Sequence, residues 1–110
     1  MASGAKSEQL AATYLAQQGL VLVEANFRCR LGEIDLIMRH GLTLVFIEVR
    51  QRSSRQFGGA IASIDLRKQH KLIVTAQFYL ARLDRLPPCR FDVLLIQGEA
   101  IEWLRDAFSA

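Results

Sequence analysis

The stretch GEIDLIMRHGLTLVFIEVR, residues 32–50, decides how this chain is read. It is apolar enough for the centre of a sheet, yet Glu33, Asp35 and Glu48 interrupt it. A carboxylate taken out of water is strongly destabilised unless a cation or hydrogen bonds compensate. A positive partner is therefore expected beside these acids.

Residues 33–39 and 43–50 read as two strands joined around a His40-Gly41 hairpin turn. An even number of connecting residues puts Glu33, Asp35 and Ile37 on the face that carries Phe46, Glu48 and Arg50. An odd number sends the two sets of acids to opposite faces. A loop running from His40 to Thr43 sets Asp35 directly opposite Glu48; a shorter one, with two residues fewer, sets Glu33 there and leaves Asp35 one diagonal step away. Like charges facing one another with nothing between them are unfavourable, so the pattern implies either a bound cation or Arg28, Arg30 or Arg50 among the acids. Two carboxylates plus water are the usual hard-oxygen setting for Mg²⁺. A salt-bridge network on one sheet face is the other reading.

Upstream, residues 5–18 read as a helix ended by Gly19, with Leu10, Ala11, Ala12, Tyr14 and Leu15 forming a broad apolar arc. Glu8 falls inside that arc, one turn before Ala12. It is either an acid favoured by the positive end of the helix dipole or one aimed at a site on the core side. Leu20 to Arg30 reads as a strand whose second half alternates Asn26, Arg28 and Arg30 with Phe27 and Cys29, giving one basic and one apolar face. Leu31-Gly32 then turns the chain.

Downstream, QRSSRQFGGA leaves the third strand as a polar, basic loop. Arg52, Arg55, Ser53 and Ser54 suit phosphate contacts there, and a solvated loop is the plainer alternative. Ser63 or Asp65 caps a helix that runs to about Leu83, with Leu72, Ile73, Ala76 and Leu80 as its buried stripe and Pro87-Pro88 beyond it. Gln69 continues the stripe toward the N-terminus, flanked by Lys68, His70 and Lys71. This polar first turn suits an approaching phosphate or is simply solvated; His70 reads as surface. Arg90 to Gln97 is a strongly apolar strand containing one acid, Asp92, and Gly98-Glu99 leads into a short final segment, AIEWL. Trp103 is either a stacking platform for a base or edge packing.

With 110 residues, 51% of them hydrophobic, the chain is expected to form one domain over residues 1–110 with a sizeable core. No apolar run approaches the ~20 residues of a membrane span, and the start lacks a signal peptide's apolar region, so no membrane partner and a cytoplasmic location are expected. Cys29 and Cys89 lie far apart in no metal-like spacing and read as reduced. A net charge of +3 and a pI near 9.2 lean mildly toward polyanions without deciding the partner.

The segments SEQLAATYL, NFRCRLGEIDLI, VFIEVRQR, FGGAIASIDLRKQHKL and RFDVLLI, in that order over nearly the whole chain, resemble the YraN-type family of small bacterial proteins. That family is similar to the PD-(D/E)XK nucleases, including archaeal Holliday-junction resolvases. The resemblance implies an α/β, restriction-endonuclease-like core of order αβββαβ, a mixed sheet flanked by helices. It implies an endonuclease that hydrolyses phosphodiester bonds in DNA, preferring structure such as branched or single-stranded substrates. The metal ligands are then Glu8, Asp35 and Glu48, around Mg²⁺ or Mn²⁺ that polarises the phosphodiester and helps generate hydroxide. The catalytic set is Asp35, Glu48, Arg50 and Gln69, and the nucleic-acid contacts are Arg28, Arg30, Arg52, Arg55 and Lys68.

Two departures stand out. Arg50 occupies the position of the motif lysine, and a guanidinium stabilises charge but does not act as a base. Either bound water suffices, or Lys68 takes over, or the site is slow or dead. Ser7 stands where the family often has Gly. The alternatives are a nucleic-acid-binding or scaffolding module of the same fold without catalysis, and a protein-interaction domain whose acidic face meets a basic partner. A symmetric homodimer enters with the resolvase likeness, because such enzymes cut two strands.

Overall fold

The computed structural model describes residues 2–52 and 64–109. Its elements are α1 (Ala2–Gln17), β1 (Val21–Cys29), β2 (Gly32–His40), β3 (Thr43–Arg52), α2 (Leu66–Leu80), β4 (Cys89–Gln97) and β5 (Ala100–Phe108). The fold is α/β, with one five-stranded sheet in the order β1-β2-β3-β4-β5. Pairing is antiparallel except between β3 and β4, which run parallel because α2 lies in the crossover between them.

α1 ends as its glycine requires. Leu20 N donates to Leu15 O and Gly19 N to Ala16 O, the paired bonds that close a helix C-terminus over a left-handed residue. α2 opens on Asp65, whose side chain accepts from Lys68 N at 2.8 Å. Of the two expected caps this is the one in place, Ser63 lying outside the described residues. The helix stops at Leu80, one turn short of Leu83.

Each sheet face carries its own core. Leu36, Met38, Val45, Ile47, Leu94 and Ile96 pack with Ala11 and Leu15 of α1. Ile34, Ile37, Phe46 and Phe91 pack with Leu72, Ala76 and Tyr79 of α2. The β2–β3 hairpin pairs His40 with Thr43 and Leu36 with Ile47. Its turn is therefore Gly41-Leu42, with Gly41 at φ +64°, as a two-residue turn opening on glycine needs. This shifts the turn one residue from the expected His40-Gly41 but keeps even parity, and continuing the register places Asp35 across from Glu48.

One expectation fails. Strict alternation would put Glu33, Asp35 and Ile37 on one face, but Ile34 and Ile37 both pack toward α2 while Leu36 packs toward α1. The period slips at Asp35. On the neighbouring strand the ladder goes from Ala25↔Leu36 to Phe27↔Ile34 and omits the step between, where Asn26 sits at φ +56°. Asn tolerates this left-handed conformation better than most residues. Glu33 is consequently turned toward Arg28, 3.5 Å away, with both side chains exposed, while its charge still helps to raise Glu8.

The C-terminal segment is also longer than expected. AIEWL is the first half of a nine-residue edge strand. The ladder between β4 and β5 shifts between Phe91 and Val93, and β5 carries Asp106 at φ +53°. Among the described residues no helix is long and apolar enough to cross a membrane.

Candidate functional site

Three elements bring their acids together at one end of the sheet. Glu48 stands near the end of β3 and is only 5% exposed. Asp35, at the slip in β2, accepts a hydrogen bond from Val49 N through Oδ2 at 2.8 Å. Glu8 reaches over from the first half of α1, where Ser7 is buried and hydrogen-bonds Gln51 of β3. That bond fixes the start of α1 against the end of the strand carrying Glu48.

The electrostatics follow from this crowding. Burial, and then the charge of Asp35, push Glu48 up to about 7, against the opposing pull of Lys68 and Arg50. Burial and the same Asp35 raise Glu8, while a hydrogen bond from the Asn26 side chain lowers it. Asp35 is within hydrogen-bonding reach of both glutamates. The three acids are thus strung as Glu8–Asp35–Glu48, and among the described residues no group of three such side chains converges on one point as a ready-made cage.

Two cations meet the buried end of this string. Arg50 Nη1 lies 3.4 Å and Lys68 Nζ 3.6 Å from Glu48 Oε2. Arg50 Nε is buried without a hydrogen-bond partner among the described residues. The donor set fits a hard divalent cation, which needs only one or two carboxylates and keeps water in its remaining positions. Asp35 and Glu48 supply those oxygens side by side, and the burial and like charge that raise Glu48 are what such a cation would offset.

The remaining expected residues are dispersed. Gln69 donates its amide to Ile64 O at 3.2 Å and so braces the chain entering α2. Arg52 is half-buried and reaches Gln51 O at 3.4 Å. Arg28 is committed to Glu33, and Arg30 is exposed just beyond β1. Arg55 lies outside the described residues, with Ser53 and Ser54. Asn26 was read only as a member of the basic face of β1; its signal was an amide residue, poor in strands, inside an otherwise strand-like run.

On β4, where Asp92 pairs with Ile47 one step before the Glu48–Val93 pair, the Asp92 carboxylate is 1% exposed and fully engaged. Arg90 Nε and Asp106 N, each at 2.9 Å, donate to Oδ1, while Trp103 Nε1 at 2.9 Å and Arg90 Nη2 at 3.1 Å donate to Oδ2. His40 Nδ1 lies 3.1 Å from Arg90 Nη2. Trp103 also meets Tyr14 edge to face. The Arg105 guanidinium lies 4.6 Å from the Trp103 ring centroid, so the ring is packed into the sheet edge. Cys29 and Cys89 are both free.

Residues 7–96 match the profile of the Uncharacterised protein family UPF0102. The chain is 58% identical over 106 residues to a UPF0102 protein of Cupriavidus metallidurans, spanning 96% of this chain and 79% of that protein. It is 53% identical over 108 residues to one of Janthinobacterium sp., at 98% and 88% coverage. A third, from Methylobacillus flagellatus, is 53% identical over 110 residues, at 97% and 96% coverage.

Proposed function

The chain belongs to the Uncharacterised protein family UPF0102, and we propose that it is a metal-dependent endonuclease hydrolysing phosphodiester bonds in DNA, with structured substrates such as branched or single-stranded DNA preferred. The observation that carries this reading is Asp35 lying between Glu8 and Glu48, with Lys68 and Arg50 both on Glu48. The element order α1-β1-β2-β3-α2-β4 is compatible with a restriction-endonuclease-like core, with β5 added at the edge.

Asp35 and Glu48 are assigned as ligands of Mg²⁺ or Mn²⁺, with Glu8 completing the set directly or through water. When bound, the cation supplies Lewis-acid polarisation of the phosphodiester. The chain's own groups do the rest. Val49 N holds the Asp35 carboxylate in place, and Asn26 orients Glu8. Arg50 offers fixed positive charge to the phosphate as negative charge builds on it. Lys68 reaches Glu48 from α2 and is assigned, from another element, the role that a guanidinium cannot perform: accepting a proton from the attacking water. Gln69 is better assigned to positioning the start of α2 than to chemistry. Arg28, Arg30, Arg52 and Arg55 remain backbone contacts in this proposal. Residues 1–110 act as one domain, a symmetric homodimer being the form suited to cutting two strands.

One observation favours a second reading, a nucleic-acid-binding module of the same fold without turnover: the residue after Val49 is Arg rather than Lys, and it is drawn onto Glu48. Cleavage of labelled single-stranded, duplex and four-way-junction DNA in Mg²⁺ or Mn²⁺, by the parent and by Glu48→Ala and Arg50→Lys, separates the two. Metal-dependent cleavage lost in Glu48→Ala supports the nuclease. Salt-sensitive binding without cleavage, even by Arg50→Lys, replaces it with the binding module.

A further inference from the structure

Beside the acid string, on the α2 side of the sheet, a cavity of about 330 Å³ is lined by Arg50, Asp65, Arg67, Lys68 and Lys71. Four of its five lining groups are cationic, an imbalance that an exposed helix turn alone does not require. Asp65, the one acid, spends Oδ1 on capping the Lys68 amide. That hydrogen bond occupies the Lys68 amide in the first turn of α2.

Two of the cations are held in place by contacts outside the cavity. Arg50 and Lys68 are anchored on Glu48 at 3.4 and 3.6 Å. The Lys71 stem lies along the backbone of Gly32: a Cβ added there would stand 3.4 Å from Lys71 Cγ and only 2.7 Å from Thr75 Oγ1. The close approach of β2 to α2 therefore needs glycine at residue 32. Cations gathered around a small cavity suit a compact oxyanion, and Arg50 Nε has no hydrogen-bond partner among the described residues.

We propose that the Arg50–Arg67–Lys68–Lys71 cavity is a phosphate-binding subsite next to the carboxylates. The inference rests on the endonuclease reading for its use, since it would seat a phosphate neighbouring the one held at Asp35 and Glu48. Binding to the cavity itself needs no metal. The phosphate has two sources, a terminal phosphomonoester or a backbone phosphodiester, which share the same oxyanion chemistry.

The test is calorimetric titration of the intact chain, free of metal and at constant ionic strength, with inorganic phosphate, a 5′-phosphorylated dinucleotide and its unphosphorylated counterpart. Chloride serves as the ionic control. Arg67→Ala/Lys71→Ala should weaken phosphate binding by about tenfold or more, the scale of losing charge-assisted hydrogen bonds, with circular dichroism and melting temperature unchanged. Asp35→Asn should leave phosphate binding intact while abolishing Mn²⁺ binding, so failure of the subsite and failure of the metal site are read separately. Tighter binding of the 5′-phosphorylated dinucleotide assigns the subsite to a terminal phosphate; equal binding of both dinucleotides, above the chloride control, assigns it to the backbone. No binding beyond the chloride control, or an unchanged affinity in the double variant, overturns the proposal.

Discussion

Asp35 Oδ2 accepts the Val49 amide at 2.8 Å, which ties the acid of β2 to the backbone between Glu48 and Arg50. A carboxylate that would repel its neighbour is thereby held against it. The bond makes two substitutions at residue 35 behave differently. Asp35→Asn keeps an acceptor for Val49 N and removes a charge that raises both Glu8 and Glu48, so stability should hold or rise. Asp35→Ala leaves the amide without its partner and should cost about 1–3 kcal/mol. Chemical denaturation of both variants without metal checks the order; equal stabilities would show that the bond contributes nothing.

The pH dependence of metal-free stability should fall on the side opposite to that of an ordinary ion-paired acid. Below pH 4.5 Glu48 is protonated in both the folded and the unfolded chain. Between 4.5 and about 7 the folded chain retains a proton that the unfolded chain has lost, so stability declines as pH rises through that window. Glu8, also raised, acts in the same direction. The decline should amount to at most about 3 kcal/mol from Glu48. Glu48→Gln should flatten the slope, which melting temperatures at pH 5 and pH 8 would reveal.

The Asp92 lock lies one strand over from Glu48 but takes its hydrogen bonds from Arg90, Trp103 and Asp106 rather than from the acid string. Removing one partner of a buried pair costs about 3–5 kcal/mol because the other charge stays buried, so Asp92→Ala should strand Arg90 and release the Asp106 turn of β5. Trp103 loses its acceptor as well, giving a fluorescence change on the same sample. Metal affinity, measured in any variant that remains folded, should be unaffected.

How much of this was legible follows from particular residues. Hairpin parity needed only the side-chain period of a strand, and it brought Asp35 and Glu48 to the same place; the helical period likewise turned Glu8 inward. The slip at Asp35 was hidden because Asn26 fits an alternating pattern as well as a left-handed one, and only the backbone distinguishes them. Glu33, identical to Asp35 in pattern, was thrown outward by that slip. β5 was read short because an edge strand with one solvated face and an interrupting Asp106 lacks a continuous apolar signal. Gln69 continued the stripe of α2, but its amide found the Ile64 carbonyl first. Asp92 looked like a stray acid because its partners lie at the start of β4 and on β5.

The central claim is that Asp35 and Glu48 hold a divalent cation, and the most direct measurement is titration calorimetry with Mg²⁺ and Mn²⁺ at pH 6 and pH 8, in two buffers of different ionisation enthalpy. The account predicts binding that is stronger at pH 8, accompanied at pH 6 by proton release as the cation displaces the proton on Glu48. It also predicts loss of that binding in Asp35→Asn with the fold retained. Binding that is absent at both pH values, or unchanged in a folded Asp35→Asn, would contradict it and leave the acids as part of a structural charge network.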